Sequence, residues 1–119
     1  MMNIDGSTFG SITVDGTTYD HDVVIRLSGN VIKRKKKLSK KLYGTSHVIS
    51  EDEAEFLYEK GCKELILGTG QFDNVRLSKE AAEFFDKKGC KVVAAATPNA
   101  LNLYNCSVAR KIGLFHVTC

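Results

Sequence analysis

The residues of this sequence best suited to chemistry are its three histidines and four cysteines. His116 and Cys119 lie three residues apart at the end of a predicted strand, where such side chains point to opposite faces, so no contact between nucleophile and base is expected. His47 precedes a predicted helix and could carry a proton or contact an anion, or be an ordinary polar loop residue. His21 lies between two aspartates and is expected at the surface. Without paired-ligand spacing, the sequence predicts no metal site, no catalytic residue and no cofactor.

Glycines and hydroxyl residues border several predicted elements at one edge of the predicted sheet. Loops converge at the carboxyl ends of parallel strands, and helix N-termini present unpaired N–H groups there, so this edge favours an anion or a polar metabolite. The predicted ligand-binding residues are Gly44, Thr45, His47, Gly68, Thr69, Gly70, Thr97, His116 and Thr118. The alternative is that these residues are ordinary helix caps and turns.

Two nucleotide-binding motifs are excluded. Gly68 and Gly70 begin like a dinucleotide fingerprint, but Asp73 stands where the third glycine is required, and the next predicted helix begins too late to receive a pyrophosphate. A G-x-x-x-x-G-K-[ST] phosphate loop does not occur in the sequence. Nucleotide hydrolysis therefore has no support.

Positive charge is concentrated between residues 33 and 41, which hold seven of the 17 Lys and Arg residues. A nucleic-acid interface is the alternative function that this segment suggests, through Lys33, Arg34, Lys35, Lys36, Lys37, Lys40 and Lys41. Tyr43 is the only aromatic residue nearby, so few aromatic side chains are available to stack on bases. A solvated, mobile loop is the favoured interpretation, because like charges repel and stay hydrated.

Local signals predict the elements that position these residues. Asp15-Gly16 between residues 9–14 and 17–25 predicts an N-terminal β-hairpin, and residues 31–32 predict a further short strand. Ser50 and Glu53 form a capping box that begins a helix over residues 50–60. Ser78 begins a second helix that ends at Gly89, with a buried side formed by Ala81, Ala82, Phe84 and Phe85.

The rest of the chain continues this alternation. Thr97 is predicted to be the N-cap of a third helix with proline at its first position, and buried strands are predicted at residues 65–67, 92–96 and 112–117. Right-handed crossovers then give a mixed α/β fold with a parallel β-α-β-α-β core and an appended antiparallel hairpin. Cys62 and Cys90 occupy equivalent positions at two strand entrances and are predicted to be buried packing residues.

Composition sets the remaining expectations. A chain of 119 residues with 43% apolar residues predicts one domain over residues 1–119. The apolar runs are far shorter than the roughly 20 residues of a membrane span, and the N-terminus does not resemble a secretory signal. The cysteines have no C-x-x-C spacing, so free thiols and a cytoplasmic location are expected.

The sequence resembles the small Mth-type domain family. The matching residues are Phe9-Gly10, Tyr19, Asp22, Val24-Ile25, Gly44-Thr45-Ser46-His47, Leu67-Gly68-Thr69-Gly70, Thr97, Tyr104-Asn105 and Phe115-His116-Val117-Thr118-Cys119. That family includes archaeal and bacterial proteins of unknown function, the adipogenesis-associated domain protein of animals and a mitochondrial complex I assembly factor. The resemblance implies a three-layer α/β fold with a mixed central sheet and supplies no catalytic residues. Residues 71–74 depart from its pattern.

These observations predict a non-enzymatic domain that binds a small anionic metabolite at the carboxyl edge of the sheet, or a protein partner as the assembly factor suggests. Nucleic-acid binding by residues 33–41 and an uncharacterised enzyme that uses the same edge pocket are the alternatives. No membrane partner is expected, and the sequence leaves the oligomeric state open.

Overall fold

A computed structural model describes residues 3–119, which form ten strands and four helices. In chain order these are β1 (Ile4–Thr8), β2 (Ser11–Val14), β3 (Thr17–Tyr19), β4 (Val23–Ile25), β5 (Val31–Lys33), α1 (Lys37–Tyr43), β6 (Val48–Ile49), α2 (Glu51–Leu57), β7 (Glu64–Thr69), β8 (Arg76–Leu77), α3 (Lys79–Lys87), β9 (Lys91–Ala95), α4 (Thr97–Cys106) and β10 (Lys111–His116).

The central sheet has five strands in the order β5-β4-β10-β7-β9. β10, β7 and β9 are parallel, as expected for strands joined by helices, while β4 and β5 add to the β10 side in antiparallel orientation. The predicted parallel core and the mixed sheet are confirmed. A second sheet, β1-β2-β3, is antiparallel, and β6 pairs with β8 in a short parallel ladder.

Each inner strand of the central sheet is buried on both faces, because its side chains alternate between two cores. Leu65 and Leu67 of β7 pack into the core formed with α2 and α3, whereas Ile66 between them packs into the core formed with α4 and the β1-β2-β3 sheet. The same alternation places Leu114 and Phe115 of β10 in opposite cores. The result is the three-layer arrangement that the resemblance implied.

The N-terminal hairpin is present, but it is shorter than expected. Asp15 and Gly16 have φ values of 47° and 81°, the conformation required of a two-residue turn between β2 and β3. The predicted strand 17–25 is wrong as one element, because the chain leaves the hairpin after Tyr19 and joins the central sheet as β4. β1, which the sequence signals missed, pairs with β2.

The helix caps are mostly as predicted. The Ser50 and Ser78 hydroxyls accept hydrogen bonds from the Glu53 and Ala81 amides, at 3.1 and 3.0 Å. α2 ends at Leu57, three residues before the predicted end, and Ala82 of α3 is exposed rather than buried.

Thr97 is not the N-cap of α4. Ala96 occupies that position without a side-chain cap, and the Thr97 hydroxyl is used elsewhere, as described below.

Cys62 and Cys90 are buried at 2% and 3% exposure, which confirms their predicted burial. Their sulfur atoms are 3.2 Å apart in the core under α2 and α3. Burial, reinforced by the Cys62 thiol and by Glu64, raises the pKa of Cys90 to about 12. No helix formed by residues 3–119 has the length and apolarity needed to cross a membrane.

Candidate functional site

A row of polar residues crosses the central sheet at the carboxyl end of β10. The antiparallel ladders pair Val23 with Lys33 on one side and with Phe115 on the other. One step further along the strands, this register brings Asp22 between Arg34 and His116, three residues that are distant in sequence.

Asp22 accepts hydrogen bonds from both neighbours in this row. Its Oδ2 atom is 2.7 Å from Nδ1 of His116 and 3.0 Å from Nη1 of Arg34, and its Oδ1 accepts from the Val117 amide at 2.9 Å. All three side chains are almost fully buried, with residue exposures of 1% for Asp22, 2% for His116 and 4% for Arg34. The contacts therefore lie where solvent screening is weak.

Arg34 connects this row to helix α2. Its Nε and Nη2 atoms donate to the two carboxylate oxygens of Glu53, at 2.7 and 3.1 Å, in the bidentate geometry that a guanidinium favours. Nη2 also donates to the carbonyl of Ser46 at 2.8 Å, and the Ser39 hydroxyl donates to Glu53. Glu53 thus contributes to the cap only through its amide, because its side chain binds Arg34.

The charged state of this network follows from competing effects. Burial alone raises the pKa of Asp22, but the hydrogen bonds from His116 and Val117 and the charge of Arg34 outweigh it, and the pKa falls from 3.8 to about 2. Burial alone lowers the pKa of Arg34, and contacts with Glu53 and Asp22 raise it above its usual value. Asp22 and Arg34 are therefore ionised at neutral pH.

His116 also belongs to a second cluster, with His47 and Cys119. One possible ligand atom from each of these three residues lies within 4.8 Å of the other two. The Cys119 sulfur is 3.7 Å from Nε2 of His47, and the two imidazole rings meet edge to face with centroids 5.4 Å apart. The expectation that strand geometry separates His116 from Cys119 is wrong, because β10 ends at His116 and the last three residues leave the strand.

Hydrogen bonds from the Thr97 hydroxyl and from backbone amides fix the chain after β10 against the glycine turn after β7. The Thr97 hydroxyl donates to the His116 carbonyl at 2.6 Å and accepts from the Gly70 amide at 3.0 Å. The Gln71 amide donates to the Thr118 carbonyl at 2.7 Å, and the Asn74 amide donates to the Cys119 carbonyl at 3.3 Å.

A cleft of about 780 Å³ lies between β5, α1 and the chain after β10, with Thr118 at its edge. We refer to it as the basic cleft. Its lining residues are Asp20, His21, Asp22, Lys33, Arg34, Lys35, Lys36, Lys37, Leu38, Lys40, Val117 and Thr118. Lysines therefore outnumber aspartates in this lining. His21, expected at the surface, is half-buried there.

The structure brings most of the predicted ligand-binding residues to one edge but buries several of them. Gly68, Thr69, Gly70, Thr97 and His116 are buried, and His47 and Thr118 are half-buried. Thr118 alone among them lines the basic cleft. Gly44 is the exposed C-cap of α1, and the Thr45 hydroxyl accepts from the His47 amide at 3.1 Å. Ligand binding by this set stays a prediction.

The basic segment is not the mobile loop that its charge suggested. Residues 37–43 form α1, which ends with Gly44 in the left-handed conformation, and Arg34 is buried in ion pairs, where it cannot contact a nucleic acid. Lys41 pairs with Asp52 at 3.0 Å, away from the cleft. Lys33, Lys35, Lys36, Lys37 and Lys40 are the lysines of the segment that share one surface.

Sequence reasoning missed Asp22, Arg34 and Glu53 as a unit. An arginine within a lysine run and an aspartate directly before an apolar strand were the available signals. Neither signal indicates a partner. Arg34 and Asp22 are 12 residues apart and meet through strand register, and Arg34 and Glu53 are 19 residues apart and meet only when helix α2 packs beside the sheet.

Comparison with known proteins assigns the family. A family model described as "Protein of unknown function (DUF498/DUF598)" matches residues 4–114. The chain belongs to this family. The DUF498/DUF598 assignment agrees with the Mth-type resemblance, and no curated protein gives a significant match.

Solved structures share the fold of this family member over 97–100% of its length. A conserved hypothetical protein, PH1505 from Pyrococcus horikoshii OT3, is 33% identical with a TM-score of 0.90, over 98% of this chain and 99% of that one. A structure described as MT938 is 30% identical with a TM-score of 0.83 over 100% of both chains. A Bordetella pertussis protein described as a Mth938-like domain is 17% identical with a TM-score of 0.63, over 97% of this chain and 85% of that one, a likeness of fold alone.

Proposed function

We propose that this protein is a non-enzymatic, cytoplasmic binding domain that holds a small anionic metabolite in the basic cleft. The observation that carries the proposal is the presence of five lysines, Lys33, Lys35, Lys36, Lys37 and Lys40, along one cleft. A volume of about 780 Å³ lies in the range of small-molecule sites, roughly 300–1,000 Å³.

The charge balance of the cleft supports an anionic ligand. Asp20 and Asp22 are its acidic lining residues, and the charge of Asp22 is opposed by Arg34 at 3.0 Å and by Lys36 at 3.8 Å. The lysines are therefore in excess. A phosphate ester or a small polycarboxylate matches this chemistry, because the compact ammonium groups of the lysines donate hydrogen bonds to such anions.

Some of the glycine and hydroxyl residues predicted from the sequence hold a wall of the cleft in place without lining it. Thr97 and Gly70 hold the chain after β10 in place, and that chain contributes Val117 and Thr118 to the lining. The proposed site therefore lies in the basic cleft, beside Thr118, and not at the Gly68–Gly70 turn as expected from the sequence.

The two binding alternatives have weaker support. Nucleic acid would use the same lysines, but within residues 3–119 no Phe, Tyr or Trp side chain lines the cleft for base stacking. For a protein partner, the exposed Phe9–Phe72 ring pair, with centroids 6.0 Å apart, is a small patch beside the roughly 1,200–2,000 Å² of total surface that specific interfaces bury.

Calorimetric titration with pyrophosphate and with citrate tests the proposal. Lys37 and Lys40 are three residues apart on one face of α1 and both line the cleft, so the double variant Lys37→Ala/Lys40→Ala removes two contacts. We expect saturable binding of at least one anion, weakened about tenfold or more in this variant, because a hydrogen bond to a charged group contributes about 1.5 kcal/mol or more.

The matched control is Lys41→Ala/Lys79→Ala, which removes the same charge from residues outside the lining. Its affinity should stay within about twofold of the wild type. Equal losses in both double variants would reduce the effect to general electrostatics and reject a cleft site. A single-stranded oligonucleotide that binds more tightly than either anion, with affinity falling steeply as salt rises, would favour the nucleic-acid alternative.

A further inference from the structure

His47, His116 and Cys119 form a cluster of two imidazoles and one thiol that is not part of the basic cleft. The three residues come from the loop before β6, the end of β10 and the segment after it. His47 and Cys119 do not line the cleft. Their convergence therefore needs its own explanation.

Two imidazoles and one thiol are the donor types that Zn²⁺ prefers in proteins. In a tetrahedral zinc site with Zn–S of about 2.3 Å and Zn–N of about 2.0–2.1 Å, the sulfur and a nitrogen lie about 3.6 Å apart. The Cys119 sulfur and Nε2 of His47 are 3.7 Å apart, and the ligand atoms of the whole set lie within 4.8 Å of one another. The Cys119–His47 pair is thus already at tetrahedral spacing, and coordination would draw His116 towards it by roughly an ångström at most.

The hydrogen bonding of His116 also has the pattern of a metal ligand. Nδ1 of His116 contacts the Asp22 carboxylate at 2.7 Å, so Nε2 is the nitrogen that carries the lone pair. Metal-binding histidines usually donate their other N–H to a carboxylate or carbonyl in this way, which fixes the ring and raises its basicity. The contact of Nε2 is the Thr118 hydroxyl at 3.0 Å, a group that can rotate or withdraw.

We propose that His47, His116 and Cys119 bind one divalent transition-metal ion, Zn²⁺ by preference, with Asp22 as the carboxylate that orients His116. Three protein ligands leave the fourth position of a tetrahedral ion open to water or to an external donor. His47 and Cys119 are half-buried, so an ion can reach the site from solvent. The site is separate from the anion site of the proposed function, although Asp22 and Thr118 contact both.

Cobalt titration tests the site, because thiolate-bound Co²⁺ has a charge-transfer band in the near ultraviolet that reports a sulfur ligand. Tag-free, reduced and chelator-stripped protein should bind one Co²⁺ per chain with this band, and Zn²⁺ should displace it. Cys119→Ser should abolish the band. Cys106→Ser, at an exposed thiol outside the cluster, should retain it.

Competition with a chelating dye gives the zinc affinity of a matched pair of histidine variants. His47→Gln should weaken Zn²⁺ binding by about 10- to 100-fold or more, because loss of a residue that only orients a ligand already has an effect of that size. The Zn²⁺ affinity of His21→Gln should stay within about twofold of the wild type. His116 is left unchanged because it is buried in the Asp22 contact, and its loss could prevent folding.

The outcomes separate this proposal from the proposed function. Absence of the band in the wild type, or its persistence in Cys119→Ser, would refute the metal site. Unchanged pyrophosphate or citrate binding by Cys119→Ser, with an unchanged cobalt band in Lys37→Ala/Lys40→Ala, would show two independent sites, and either one can fail without the other.

Discussion

Arg34 is the residue on which the polar contacts at the end of the central sheet depend. It contacts Asp22 directly before β4, Glu53 from α2 and the Ser46 carbonyl from the loop between α1 and β6. Both carboxylates are buried, so removal of the guanidinium would leave Glu53 without its ion-pair partner, while Asp22 would keep only its contacts with His116, the Val117 amide and Lys36. A lysine could not replace it, because one ammonium group cannot reproduce the fork that reaches both Glu53 oxygens.

Removal of this guanidinium should cost far more than removal of an exposed cation. We expect Arg34→Ala to lower the free energy of unfolding by about 3–5 kcal/mol, as for other broken buried ion pairs. Lys41→Ala is the matched control, because the side chains of Lys41 and Asp52 are 59% and 56% exposed, and it should cost about 1 kcal/mol or less. Urea unfolding measures both. A loss below about 1 kcal/mol for Arg34→Ala would mean that the network is not held as described.

At the scale of elements, the segment after β10 is held by the glycine turn after β7. Gly70 has φ of 102°, and a Cβ atom added there would lie 2.6 Å from both the carbonyl carbon and the oxygen of Cys119. No side chain can occupy that space while the segment keeps its position. The glycine therefore allows Cys119 to approach His116.

Gly70→Ala should accordingly displace the segment rather than simply strain the turn. We expect a loss of about 1–3 kcal/mol in the free energy of unfolding and faster alkylation of the Cys119 thiol. Gly6→Ala is the control, because an added Cβ there meets no atom within 4 Å, and it should leave both measurements nearly unchanged. An alkylation rate for Cys119 equal to that of the wild type would contradict the close approach.

The elements that the sequence predicted well are those whose signals are local. Ser50 and Ser78 begin helices because a hydroxyl satisfies amides two or three residues away, and Asp15-Gly16 turns the hairpin through its own dihedral angles. Thr97 was assigned wrongly as a cap because its hydroxyl instead bonds Gly70 and His116, a tertiary contact that overrides the local preference.

The candidate site was predictable only in outline. Parallel topology correctly indicated that the segments containing His47, Gly70 and Thr97 meet near His116. The contact between Asp22 and His116 spans 94 residues and depends on how β4 joins β10, which no local pattern encodes. Strand alternation failed for Cys119, because it applies only as far as the strand continues.

For the molecule as a whole, Asp22 couples folding to acid. The pKa of the Asp22 carboxyl is lower in the folded state than in the unfolded state, so this group stabilises the fold fully at pH values above its unfolded pKa of 3.8. Between the two pKa values, the unfolded chain binds a proton on this carboxyl and the folded chain does not. That contribution disappears as the pH falls towards the folded value of about 2. Since Asp22 lies between β5 and β10 in the register, its protonation loosens the contact between the antiparallel and parallel parts of the central sheet.

Comparison of the wild type with Asp22→Asn isolates this effect from the other carboxyls, whose titration is common to both proteins and cancels in the difference. The wild type should be the more stable at neutral pH, and its advantage should shrink by about 2 kcal/mol as the pH falls from about 5 to about 2. Urea unfolding at a series of pH values measures the difference. Asp20→Asn is the control for the change of charge, because its carboxyl is exposed in the same loop. The opposite result is a wild-type advantage over Asp22→Asn that stays constant down to about pH 2. That result would contradict an Asp22 carboxyl held ionised by Arg34 and His116, and with it the contribution of the polar row to stability.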